Sequence, residues 1–194
     1  AIMASMYAVY HGAEGLRGIA RQAHLSAVAL ANELKKLGCT VAYDSFFDTL
    51  KLTHTDNVKI HALAEAAQIN FRYSTEGIGI ALDQATSVGD LNAILAVFAQ
   101  AAGKAAPALT AAHIAAQTML VKPRQSAILR HPVFNSYYSE TEMMRYIKRL
   151  ENKDLSLTHS MISLGSCTMK LNAASEMLAL TWPEFANLHP FVPV

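Results

Sequence analysis

Charged residues are scarce in this chain. Asp, Glu, Lys and Arg make up 16% of its 194 residues, and the formal net charge is only +1. Proteins that bind nucleic acid or anionic membranes carry a clustered excess of Lys and Arg, so this composition argues against both partners. The same composition leaves 52% hydrophobic residues. That is enough for a sizeable core and for apolar surface that contacts another protein.

Cysteine is also rare, and the histidines follow no metal-binding pattern. Cys39 and Cys167 lie far apart, without a CxxC pair or a Cys/His spacing that suggests a metal site. We therefore expect no metal and a reduced, cytosolic setting. Cys39, at the start of a predicted strand, is interpreted as a small core residue. Four histidines are interpreted as surface or hydrogen-bonded residues: His11, His24, His54 and His61.

Targeting and membrane segments are missing as well. The opening AIMASMYAVYHGAEGL has no basic region of the kind that starts a signal peptide. The Ala-rich stretch 94–121 is interrupted by residues such as Lys104 and Pro107, which excludes a transmembrane span. The chain begins without an initiator Met and stops at HPFVPV. We therefore expect it to be a piece of a longer protein.

Periodicity predicts an α+β fold for the first hundred residues. The residues with helical spacing and those with strand character alternate as helix, strand, strand, helix, strand, strand, helix. The order predicts a small, mainly antiparallel sheet with helices on one face. The segments are 16–37, 39–44, 47–54, 57–67, 69–74, 77–82 and a helix that begins after Ser87.

Helix-end signals support these boundaries. Gly38 follows the last apolar position of the first helix and predicts its C-terminal stop. Thr55 or Asp56 is suited to cap the second helix, and Ser87 with Asp90 forms a predicted capping box for the third.

The pattern changes beyond residue 103. Residues 103–130 show no strand alternation, carry Pro107 and Pro123, and are interpreted as a linker that contains a possible helix over 109–119. Ser139 and Glu142 then predict a capping box for another helix. Its predicted apolar face consists of Met143, Met144, Ile147 and Leu150.

Two places are candidates for chemistry. The stretch GSCTMKLN, residues 165–172, follows an apolar segment and precedes a helical one, so its free amides and hydroxyls suit an anion. It lacks the Walker pattern, and no sequence feature supplies a base for Ser166 or Cys167 as nucleophile. Spacing alone leaves a structural turn and a ligand contact open, and favours the turn. Arg72 is suited to bind a carboxylate, but an edge-strand or ion-paired arginine is the favoured interpretation.

Long blocks of this sequence resemble one family. HPVFNSYYSETEMMRY and LGSCTMKLN closely resemble the P-protein family of the glycine cleavage system, and MYAVYHGAEGLRGIA and FFDTLKL resemble an earlier part of the same family's chain. The resemblance covers nearly all 194 residues. It implies pyridoxal-phosphate enzymes of the aminotransferase-like fold (fold type I), which decarboxylate glycine and pass the aminomethyl group to the lipoyl arm of H-protein. The long form has two tandem halves, of which the first is thought to be catalytically degenerate.

The resemblance implies that this chain crosses the junction of the two halves. Residues 1–102 resemble the small C-terminal domain of the first half, 103–130 the linker, and 131–194 the truncated N-terminal arm of the second half. The family's Schiff-base lysine lies in a histidine-lysine-threonine motif that is absent here, so Lys170 is not that lysine. We therefore expect no catalytic residue, no bound pyridoxal phosphate and no activity in the isolated chain.

The resemblance also implies substrate contacts and partners. By analogy with aminotransferase-like folds, Ser166, Cys167 and Thr168 are predicted to border the channel for glycine or the lipoyl arm. Expected partners are glycine, lipoylated H-protein, the other half of the protein and further copies in a homo-oligomer. The expected location is the bacterial cytoplasm, or the mitochondrion in a eukaryote. The alternative is a non-catalytic regulatory or dimerisation module that binds a small amino acid and is stabilised by it.

Overall fold

The computed structural model describes residues 1–154, 159 and 174–188. The chain divides into two compact units, Ala1–Tyr138 and Ser139–Val194. The first unit contains the predicted order of three helices and four strands, which confirms a mixed α+β fold. Its elements are α1 (Ile2–Leu37), β1 (Thr40–Val41), β2 (Thr49–Thr53), α2 (Asn57–Ala66), β3 (Arg72–Ser74), β4 (Gly77–Ala81), α3 (Val88–Ala102), α4 (Ala111–Ala115) and a 3-10 turn at Pro132–Asn135.

The sheet of the first unit is antiparallel and has the strand order β1-β2-β4-β3. Leu50 pairs with Ile80 and Leu52 pairs with Ile78, and all four side chains are buried. Because side chains alternate between the two faces of a strand, these four share one face, and that face joins the core. The sheet is therefore covered on one side.

The middle of α1 is buried on all sides. Every residue of Ala23–Ala31 is buried, although an amphipathic helix was expected. The helix packs against the sheet and α3, and it also contacts α4 and the 3-10 turn. The many alanines of this stretch have short side chains, which let these neighbours approach the helix closely.

The segment that follows α3 packs onto this unit. Leu109 and Ile114 are buried with the core residues. Asn92 of α3 fixes the segment, because its side chain accepts a hydrogen bond from the amide of Leu109 at 2.7 Å and donates to the Leu109 carbonyl at 3.1 Å. The helix expected over 109–119 is shorter, with Thr110 and His113 capping its start. The domain boundaries at 102 and 130 stay predictions.

The two ends of α1 differ from each other. Gly38 ends the helix in the left-handed conformation, as predicted, and Lys104 donates from Nζ to the carbonyl of Leu37 at 2.8 Å. The predicted start at Leu16 was too late, because the helix extends to Ile2 across a kink at Gly12. Despite this length, none of the helices in the described residues is apolar enough to span a membrane.

The second unit has short helices. They are α5 (Glu140–Glu151), α6 (Ala174–Leu178) and α7 (Pro183–Ala186), with a 3-10 turn at Ala179–Thr181. The predicted capping box at Ser139 and Glu142 is confirmed. The predicted apolar face of α5 is present but not buried, since Met144 is 63% and Ile147 is 45% exposed.

Gly77 provides a test of the sheet register. Its φ is 137°, and a Cβ at this position would lie 1.9 Å from the carbonyl oxygen of Leu52. Gly77→Ala should therefore lower the free energy of unfolding by about 2–4 kcal/mol, measured by urea denaturation. Gly103 is the matched control, since its φ is also positive but its Cβ would meet nothing. Gly103→Ala should lower the free energy of unfolding by only about 1 kcal/mol. Equal losses of stability in the two variants would contradict the register between β2 and β4.

Asp90 provides a test of the α3 cap. Its carboxylate accepts hydrogen bonds from the hydroxyl and the amide of Ser87, both at 2.7 Å, and these bonds hold the pKa of Asp90 below its ordinary value. A depressed pKa in the folded state stabilises the fold above the unfolded-state pKa and loses that effect as the pH falls. The free energy of unfolding should therefore decrease between about pH 5 and about pH 3, and Asp90→Asn should make this decrease shallower. Identical pH slopes for the two proteins would refute the assignment.

Candidate functional site

The predicted substrate-binding residues lie outside the described part of the chain. Ser166, Cys167 and Thr168 fall within residues 160–173, between α5 and α6. Their placement at a glycine or lipoyl channel therefore stays a prediction.

The described residues that follow this stretch expose several apolar side chains. The rings of Trp182 and Phe185 lie 6.3 Å apart between centroids. Pro183 begins α7, where its missing amide is not needed for a helical hydrogen bond. Surfaces of this composition are typical of contacts with other protein. The exposed apolar side chains are Met177, Leu178, Leu180, Trp182, Phe185 and Leu188.

His24 is the most constrained polar side chain of the first unit. It is fully buried in α1, and its ring stacks on Phe47 at 5.4 Å and 16°. Nε2 accepts a hydrogen bond from the amide of Leu120 at 2.9 Å. Nδ1 lies 2.7 Å from the carbonyl oxygen of Phe47 and must donate to it, because a carbonyl only accepts. These partners assign the donor role to Nδ1 and the acceptor role to Nε2.

This arrangement gives His24 a structural role. Both ring nitrogens are occupied by backbone partners, so neither is available for proton transfer or for a metal. The side chain joins α1 to the segment before β2 and to the segment after α4. The sequence-based interpretation of a hydrogen-bonded histidine is confirmed. Its partners were not predicted, because Phe47 and Leu120 lie 23 and 96 positions away.

A second polar cluster lies where α2 meets β3. His61 and Tyr73 make an edge-to-face contact with ring centroids 4.5 Å apart, and His61 Nε2 lies 3.6 Å from a Glu65 carboxylate oxygen. The hydroxyl of Tyr73 is buried without a hydrogen-bond partner. Burial raises the pKa of Tyr73, and the Glu65 carboxylate adds to the rise, so the phenol stays protonated. Tyr73 is therefore not an activated nucleophile or base.

Arg72 and Cys39 take the structural roles that the sequence favoured. Arg72 lies on the edge strand β3, is exposed, and extends its stem over Gly79. Cys39 packs against the core. Burial raises the pKa of its thiol, against a smaller opposite effect of the Lys104 ammonium, so the thiol is unactivated.

The described residues contain neither a cluster of metal-binding side chains nor a buried lysine. Within residues 1–154, 159 and 174–188, no three side chains among His, Cys, Asp and Glu lie close enough to hold a metal ion. A Schiff-base lysine requires a desolvated pocket, but no lysine in this part of the chain is buried. Lys51 instead pairs with Glu76, which raises the pKa of Lys51. Lys59 donates to the carbonyl of Ala101 at 2.7 Å.

Comparison with known proteins decides the family. The family model for the glycine cleavage system P-protein matches residues 1–98, which is half of the chain. The chain belongs to this family. The α+β unit with its antiparallel sheet is thus a part of a P-protein, and the resemblance noted in the sequence is confirmed.

Individual relatives extend the match over the whole chain. The chain is 52% identical over 195 residues to a glycine dehydrogenase (decarboxylating) of Flavobacterium johnsoniae, with 100% of the chain covered. It is 50% identical to a protein of the same name in Vibrio parahaemolyticus, with 98% covered, and 49% identical to one in Vibrio vulnificus, with 99% covered. The chain spans 20% of the length of each relative.

His24→Phe tests the role of the buried histidine. The variant keeps an aromatic ring but leaves the carbonyl of Phe47 and the amide of Leu120 without their partner. The free energy of unfolding should fall by about 1–3 kcal/mol in urea denaturation, because two partly buried backbone groups lose a hydrogen bond. Tryptic cleavage after Arg124 should also become faster, because the segment after α4 loses an attachment.

The matched control is His61→Phe, at a half-exposed position, which should change stability by less than about 0.5 kcal/mol. If His24→Phe were as stable as the wild type and as slowly cleaved, the proposed attachment would be wrong.

Proposed function

We propose that this chain is part of a glycine decarboxylase that uses pyridoxal phosphate to decarboxylate glycine and transfers the aminomethyl group to the lipoyl arm of H-protein. The observation that carries the proposal is the 49–52% identity, over nearly the whole chain, to proteins named glycine dehydrogenase (decarboxylating). The match to these relatives covers the linker as well as the segments on either side of it. It therefore supports the hypothesis that the chain is part of one enzyme over the alternative of a non-catalytic binding module.

In this proposal the chain contributes structure and substrate contacts, and the cofactor is attached elsewhere. Residues 1–102 are the small domain that ends the first aminotransferase-like half, and residues 131–194 are the arm of the second half. This division is supported by the lack of a buried lysine among the described residues, because a Schiff-base lysine requires a desolvated pocket. The isolated chain is therefore inactive.

The loop of residues 165–172 is the part that we assign to substrate. The hydroxyls of Ser166 and Thr168 are suited to donate hydrogen bonds to the carboxylate of glycine, and Cys167 lies between them in sequence. A carboxylate that is also bound by backbone amides is held in one orientation. That orientation would fix the direction of the bond between Cα and the carboxylate of glycine, which is the bond that breaks when carbon dioxide leaves.

Partners and location follow from the same assignment. Apolar side chains are exposed around Trp182 and Phe185. Their exposure supports the proposal that they are buried in the whole protein, against other parts of the enzyme or against a further copy of it. The relatives named above are bacterial, and the sparse cysteines suit a reducing compartment, so we place the enzyme in the cytoplasm.

The test measures carbon dioxide release from labelled glycine by the full-length protein with lipoylated H-protein. The full-length protein should be active, and the 194-residue chain should be inactive with added pyridoxal phosphate. The double variant Ser166→Ala, Thr168→Ala in the full-length protein should raise KM for glycine by about a hundredfold or more, since each lost hydrogen bond to a charged group costs about 1.5–3 kcal/mol and every 1.4 kcal/mol is a factor of ten.

Ser5→Ala is the matched control, because the Ser5 hydroxyl only bonds the carbonyl of Ala1 on its own helix. It should leave KM unchanged. An inactive full-length protein would refute the enzyme assignment. An active enzyme whose KM is indifferent to the double variant would refute the role of the loop alone.

A further inference from the structure

The sheet of the first unit has a second face, which points away from the core. Successive side chains of a strand point to opposite faces, so the residues that alternate with the buried ones lie on this second face. Apart from Gly77 at the start of β4, the residues of this face are small or polar and none of them is buried. They are Thr40, Thr49, Lys51, Thr53, Arg72, Ser74, Gly79 and Ala81. We call this surface the open face.

Gly79 leaves a gap in the middle of the open face. It pairs with Lys51 of β2 on one side and with Arg72 of β3 on the other. The strand does not need a glycine here, because the φ of Gly79 is not positive and a Cβ would lie no closer than 3.4 Å to its neighbours. Glycine weakens the interior of a strand and often marks a place that a ligand or another backbone approaches closely. The gap therefore indicates a close approach from outside the sheet.

The two cations beside the gap differ in their partners. Lys51 forms an ion pair with Glu76. Arg72 lays its stem across the gap, since its Cβ and Cδ lie 3.4 Å and 3.8 Å from the place of a Gly79 Cβ. No carboxylate of the first unit, all of which is described, lies within 4.0 Å of the Arg72 guanidinium. Arg72 is thus a cation on the open face whose carboxylate partner is not supplied by its own unit.

The surroundings of the gap suit a protein surface better than a small molecule. Small-molecule sites are concave and enclose most of their ligand. The neighbours Ser74 and Ala81 are short and exposed, so they form no walls around the gap. A protein that covers the open face would remove the Arg72 guanidinium from water, which is costly unless a carboxylate pairs with it. Arginine binds carboxylates through two parallel hydrogen bonds, so the complementary group is an Asp or Glu side chain.

We propose that the open face is a docking surface for a protein segment outside the first unit, which places an Asp or Glu side chain over Gly79 to pair with Arg72. Such a segment is available in a longer protein, since the chain spans only 20% of the length of each relative. Docking of this kind requires no particular reaction. Its failure would therefore leave the proposed function untouched, and an inactive protein would leave the docking testable.

The first measurement asks whether Arg72 is covered in the wild-type full-length protein. Phenylglyoxal modifies accessible guanidinium groups, and peptide mapping locates the label. Arg72 should react at least about tenfold more slowly in the native protein than in the urea-unfolded protein, because docking removes it from solvent. Equal rates in the two states would overturn the proposal. Protection that appears only after glycine is added would assign Arg72 to a small carboxylate and would also overturn it.

The second measurement identifies the carboxylate. Arg72→Lys keeps a cation at position 72 and introduces an amine, which a carbodiimide couples to a carboxylate in contact with it. Lys51 and Glu76 are the internal reference, because their ion pair lies within the first unit and should couple in the same sample. Peptide mapping should show a further cross-link from position 72 to an Asp or Glu outside residues 1–138.

Two results of the coupling would contradict the docking. One is the reference cross-link without any from position 72, and the other is a cross-link from position 72 to Glu76 alone. The labelling experiment uses the unaltered protein, so it decides whether the open face is covered even if Arg72→Lys is unstable.

Discussion

The complete burial of the middle of α1 is the constraint on which the first unit depends. A helix that is covered on one face needs only a sheet or another helix beside it, but Ala23–Ala31 is covered all round. The second cover is the chain after α3, whose Leu109 and Ile114 join the same core. The one large polar side chain in the buried stretch, His24, is tolerated because both of its ring nitrogens bond to backbone.

This constraint explains why the chain after α3 belongs physically to the first unit. Hydrogen bonds attach it there between Asn92 and Leu109, between Lys104 and the end of α1, between Asn32 and Gln117, and between His24 and Leu120. The described contacts therefore pack residues 103–120 onto the first unit.

The sequence predicted those parts of the fold that depend on local signals. The order of helices and strands, the Gly38 stop and the capping boxes at Ser87 and Ser139 follow from periodicity and from bonds across three positions, and the structure contains them. The kink at Gly12 and the partners of His24 were not predicted, because their contacts come from residues distant in sequence. These are Phe134 and Tyr138 for Gly12, and Phe47 and Leu120 for His24. The family was recognisable from long blocks of sequence, whereas the substrate role of Ser166, Cys167 and Thr168 follows from resemblance alone.

The central claim is that this chain contributes to a pyridoxal-phosphate enzyme without carrying the cofactor itself. Borohydride reduction of the full-length protein loaded with pyridoxal phosphate, followed by peptide mapping, tests it most directly, because the reduced lysine keeps its label. The account predicts one labelled lysine in the remainder of the protein and none within these 194 residues. A label on Lys170, or on any other lysine of this chain, would contradict it.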